Sequence, residues 1–237
     1  MSVIRLFAAG GRRFPQLSFI GCLVVFSLFA AIPVSGQNVE SAITKTLEKS
    51  GYQEKQKASI ISFFTETDRA DIPAELLVPK LEEGVAKRIP AQRVLDALKR
   101  EREGLLKARA LILRVEGGEQ VLADRASWAR TANLLAGGIS ETEIEGLILL
   151  CRSRVEDFRP ATYLYAALKK WGLGPEPSFS LIGALLRSSV SADSFMGVMD
   201  LLALGRRRRI APEELVQRIE EHLKQVKRIE ELEKWIY

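Results

Sequence analysis

At 237 residues, 47% hydrophobic and 27% charged, the chain is long enough for one sizeable core or two small ones and too apolar to be a disordered tail. Two cysteines, one histidine and three methionines are too few for a zinc module, a haem protein or a disulfide-stapled scaffold, so neither a metal nor a cofactor is expected. The formal net charge of +5 is weighted to the start: residues 1–37 hold Arg5, Arg12 and Arg13 and no acid, leaving 32 basic against 30 acidic residues, too even a balance to suggest nucleic acid as a partner.

The first segment reads as an export signal. After the basic stretch ending at Arg13, the run Leu17 to Ala31 carries no charge, and Pro33 breaks it before Val34-Ser35-Gly36, so residues 1–36 have the layout of a signal peptide cleaved between Gly36 and Gln37. The run of 15 residues is shorter than the ~20 that a spanning helix needs, which favours cleavage over retention as an inner-membrane anchor. Cys22 lies early in the run, whereas a lipid-accepting cysteine closes one, and Arg12-Arg13-Phe14 departs from a twin-arginine signal by one place. The expected destination is the periplasm or the exterior by the general secretory route.

From about residue 40 onward, apolar residues recur at three- and four-residue spacings, as in Val94, Leu98, Leu105, Ala108 and Ile112, and no alternating strand pattern appears. Residues 37–51 form a linker and a first short helix, and helices are expected over Ser59–Glu66, Ser127–Leu135 and Ser178–Leu186. Loops are expected at Lys49-Ser50-Gly51, Glu116-Gly117-Gly118, Gly172-Leu173-Gly174-Pro175 and at Gly205 with the arginines after it. Six apolar pairs five residues apart have the spacing of a hydrophobic staple, in which a residue outside a helix folds onto its first turn: Ile72/Leu77, Ile89/Val94, Ile139/Ile144, Phe158/Tyr163, Val190/Phe195 and Ile210/Leu215. Ser140 with Glu143 adds a capping box, and Pro160 and Pro212 suit the first helical position. Pro212 to about Trp235 reads as the last and longest helix.

This grammar organises residues 52–237 into about three units of three helices, 52–116, 119–173 and 176–237. The fold class is therefore all-α, a degenerate helical repeat that is either α-solenoid-like or closed into a compact bundle. The string Ile72-Pro73, Glu83-Gly84-Val85-Ala86-Lys87, Ile89-Pro90, Val94, Ala97-Leu98, Leu105 and Ala108 resembles one in uncharacterised exported helical proteins of bacteria. No activity attaches to that group, so the resemblance implies an exported helical repeat and no chemistry.

Candidate contact residues are few. Arg206, Arg207, Arg208 and Arg209 are the densest charge after the leader and suit an anionic ligand or partner, with Glu213, Glu214, Glu220 and Glu221 close enough in sequence to neutralise them. Trp235 and Tyr237 end the chain after a highly charged stretch and suit a partner contact. Phe63-Phe64, Trp128, Tyr163 with Tyr165, and Trp171 could line a groove for a sugar polymer or peptide, though their spacing is that of core. Glu141, Glu143 and Glu145 suit the first turn of a helix, Cys151 a small buried hydrophobe, and His222 a lone surface histidine. No catalytic residue stands out, and no hydrolase, P-loop or dinucleotide motif occurs. The expected function is binding or scaffolding in the bacterial cell envelope, with an envelope protein or anionic polymer as partner. The alternatives are an envelope enzyme acting on polysaccharide through a carboxylate pair, and a membrane-anchored protein that keeps its leader.

Overall fold

Among the described residues, five helix ends are closed by one device. Asp71, Arg88, Gly138, Gly172 and Arg209 have φ between 53° and 99°. Each donates its N–H to the carbonyl three residues back, and the next residue, Ile72, Ile89, Ile139, Leu173 or Ile210, donates to the carbonyl five back at 2.9–3.3 Å. This paired pattern is the Schellman cap, which satisfies carbonyls the helix cannot. Four of those apolar residues then serve the following helix as the outer half of a staple. Their partners Leu77, Val94, Ile144 and Leu215 are all at most 2% exposed. One side chain thus seals one helix and aims the next.

The computed structural model describes residues 36–236, with side chains over 39–236, so residues 1–35 of the expected leader and Tyr237 lie outside the described residues. The described residues form helices and turns with no strand. The helices are α1 (Gly36–Glu48), α2 (Glu54–Arg69), α3 (Val78–Ala86), α4 (Ala91–Leu113), α5 (Gly118–Ala123), α6 (Arg125–Ala136), α7 (Glu141–Cys151), α8 (Phe158–Trp171), α9 (Pro175–Arg187), α10 (Val198–Arg207), α11 (Pro212–Leu223) and α12 (Glu233–Ile236). Helical turns of 3₁₀ type lead into α3, α8, α10 and α12. Packing runs mainly between neighbours: α1 on α3, α2 and α3 on α4, α4 on α6, α6 and α7 on α8, α8 and α11 on α9, and α10 and α12 on α11. A continuous apolar core from Val39 to Ile236 results. No helix among the described residues is long and apolar enough to cross a membrane.

Several expectations change. The C-terminal segment is not one long helix. α11 stops at Leu223, and a 3₁₀ turn at Ile229–Leu232 followed by α12 folds the chain back onto α10 and α11. Ile229, Leu232 and Ile236 are at most 2% exposed there, whereas a straight helix from Pro212 would carry them roughly 25–35 Å along its axis, beyond its neighbours. The longest helix among the described residues is α4, with 23 residues.

Gly205 is helical rather than a loop residue. A Cβ built on it would lie 2.2 Å from Leu215 Cδ2, so its role is close approach of α10 to α11. Arg206 and Arg207 are helical too, and only Arg208 and Arg209 turn. Pro160 sits at the third position of α8, because that helix begins at Phe158. The same shift breaks the Phe158/Tyr163 staple. Phe158 is inside the helix and fully buried, and a residue five further on points about 140° away round the axis, leaving Tyr163 49% exposed.

Candidate anion-binding surface

α8 carries two kinds of charged neighbourhood. The first surrounds Glu143 on α7. Ser140 caps α7 by accepting the Glu143 N–H on its Oγ, and the Glu143 carboxylate accepts the Ser140 N–H in return at 2.7 Å, the capping box read from the sequence. The same carboxylate accepts from Tyr165 Oη at 2.6 Å and from Lys169 Nζ at 2.7 and 2.8 Å. Burial pushes the Glu143 pKa up, but the hydrogen bonds from Lys169, Ser140 and Tyr165 outweigh it and hold the value at about 2. Burial and the bond to Glu143 raise the Tyr165 pKa. Every donor here faces an acceptor, so the cluster ties α7 to α8 and leaves Glu143 ionised at neutral pH.

The second neighbourhood lacks that balance. Arg130 on α6 is half-buried. Its Nε donates to Thr162 Oγ1 at 3.2 Å and its Nη2 to the Thr162 carbonyl at 3.0 Å. Its guanidinium carbon lies 4.0 Å from the centroid of the Tyr163 ring, within cation–π range. Among the described residues no carboxylate pairs with it. Burial lowers the Arg130 pKa, with Tyr163 acting in the opposite direction.

Further along the same helix, Arg206 of α10 lies over Trp171, with its guanidinium carbon 6.0 Å from the ring. Tyr163 and Lys170 are seven residues apart and share a face, and Trp171 follows about 12 Å along the axis from Tyr163. The two aromatic side chains of α8 that reach the surface therefore each hold an arginine, one from the preceding helix pair and one from the following. Arg159, one turn before Tyr163, pairs instead with Asp124 at 3.3 Å.

The four arginines are all exposed and lie at the end of α10. Among the described residues, Lys170, Arg207 and Arg209 have no ion-pair partner. The acids expected to neutralise them are partly engaged elsewhere: Glu214 pairs with Arg218 at 2.7 Å, and Glu221 accepts from Gln217 at 3.0 Å. Trp235 is 38% exposed and stacks on His222, with centroids 3.9 Å apart and planes 6° from parallel. His222 is thus covered rather than a free surface histidine, and its Nδ1 is buried with no hydrogen-bond partner. Trp235 and the arginines are not brought together. Gly205 abuts Leu215 near the start of α11, whereas His222 stands near its end, about 10 Å further on.

Of the other aromatic candidates, Phe63, Phe64, Trp128 and Tyr165 are core residues, each at most 5% exposed. Cys151 is fully buried, and burial, aided by Asp157, pushes its thiol up to about 12. Among the described residues no group of three or more His, Cys, Asp or Glu side chains is placed to hold a metal ion.

Sequence reasoning missed Arg130, and one signal could have found it. In α6 the buried positions include Ser127 and Leu134, three before and four after Arg130, so an arginine lies at the edge of the inward face. Matched against protein-family models, curated proteins and solved structures, the chain has no match in any of the three.

Proposed function

We propose that this chain is an exported binding or scaffolding protein of the bacterial cell envelope, periplasmic or secreted, which takes an anionic partner on the α8 face. Its helices are read as three stacked units, 52–116, 119–173 and 176–237, in each of which caps and staples link successive helices. Neighbour-to-neighbour packing supports that reading, and stacked helical units typically present extended binding faces. One observation carries the function: Tyr163 and Trp171 each lie against an arginine from a different flanking helix, Lys170 stands beside them, and among the described residues no carboxylate pairs with the three cations. Guanidinium groups stacked on aromatic rings keep their N–H edges free for oxyanions.

Charge reversal tests it. The intact chain is passed over an immobilised sulfated polymer, and retention is compared for Lys170→Glu/Arg206→Glu and for Lys99→Glu, an exposed site on α4. The account expects the first variant to bind about tenfold more weakly and the second within about twofold. Equal weakening by both would reduce the binding to net charge. Mass spectrometry of the mature N-terminus tests export, with a start at Gln37 expected.

A further inference from the structure

The rest of the α8 face is built from ordinary exposed cations, but Arg130 is different, because its partners leave one edge of the guanidinium unused. The side-on edge, Nε with Nη2, is taken by the oxygens of Thr162. Thr162 Oγ1 donates its own proton to the Arg159 carbonyl at 2.7 Å, so it meets Arg130 as an acceptor. The end-on edge, Nη1 with the second Nη2 proton, has no acceptor among the described residues, and Nη1 is not sealed from solvent. The Tyr163 ring packs against the guanidinium, 4.0 Å from its carbon. A fork that is fixed, half-desolvated and without a counter-ion is matched by two coplanar oxygens.

Building on the anion-binding reading of α8, we propose that Arg130 is the anchor for a sugar carboxylate of an acidic polysaccharide lying along this helix. One face of the Tyr163 ring is covered by Arg130, and the ring, 49% exposed, offers its remaining surface to the C–H face of a neighbouring sugar of the same polymer. Lys170 and the Arg206–Trp171 pair, about 12 Å on, meet later charges of an extended polymer. An acidic peptide would meet the fork in the same way but carries no flat C–H face to lie on the exposed Tyr163 ring.

The test is calorimetric titration of the intact chain with oligogalacturonate, its methyl ester, poly-glutamate and polyphosphate. Oligogalacturonate should bind and its ester should not. Arg130→Gln and Arg130→Lys should both weaken binding about tenfold, because lysine keeps the charge but not the fork. Tyr163→Leu, at an exposed position that does not endanger folding, should weaken it about threefold and decides the matter if the Arg130 variants unfold. Wild-type affinity in Arg130→Lys or Tyr163→Leu overturns the proposal, as does tighter binding of poly-glutamate or polyphosphate through the same residues. If oligogalacturonate fails to bind while the sulfated polymer is still retained through Lys170 and Arg206, this proposal falls and the broader reading stands. Loss of both removes the broader reading too.

Discussion

Glu143 and Arg130 both sit against α8, both are partly withdrawn from water, and they differ in what surrounds the charge. Glu143 accepts from Ser140, Tyr165 and Lys169, so its burial is compensated donor by donor. Arg130 has two neutral oxygens of Thr162 and an aromatic face, but no opposite charge among the described residues. A shielded charge with a full set of partners holds a fold together. One with a partner missing costs stability, and a ligand of opposite charge would supply the complement.

The largest expected effect lies on the compensated side. Glu143→Ala removes the capping acid and leaves Tyr165 Oη and Lys169 without their acceptor, which should cost about 2–4 kcal/mol in urea unfolding. The pH dependence follows from the same group. Its pKa in the folded chain, about 2, lies below the ordinary 4.5, so its contribution is complete above that ordinary value and is lost as pH falls from about 4.5 towards 2. The acid limb of a stability–pH curve should flatten in Glu143→Gln. Tyr165→Phe deletes one donor from the set and should cost about 1 kcal/mol by the same measurement.

Arg209→Gly tests the strained cap of α10 without touching either cluster. With φ at 61°, Arg209 occupies the left-handed region that glycine enters freely, so the variant should gain about 1 kcal/mol. Arg130→Met should have the smallest effect, within about 0.5 kcal/mol in either direction, because loss of two hydrogen bonds offsets relief of an unpaired charge. A cost as large as that of Glu143→Ala would erase the distinction between the two clusters.

Much of the helical layout was legible because it is local. Ile72, Ile89, Ile139 and Ile210 carry their signal in residues five positions away, and the Ser140–Glu143 box within three. What escaped depended on distant packing. Nothing near Leu223 announces that the chain must turn back, since the reason is the reach of Ile229 and Ile236 to α10 and α11. Gly205 resembles a turn glycine until Leu215 is seen against it. The arginines were legible as a cluster, but not that Arg206 lies over Trp171, 35 positions earlier, nor that Tyr163 faces outward once α8 starts at Phe158.

The most direct check is arginine-detected nitrogen NMR of the intact chain titrated with oligogalacturonate. The account predicts that the Arg130 Nη protons sharpen into separate resonances as the carboxylate locks the guanidinium, while those of Arg109, on α4 and donating to the Ala70 carbonyl at 3.4 Å, do not change. Unaltered Arg130 signals at saturation of the sugar would contradict it.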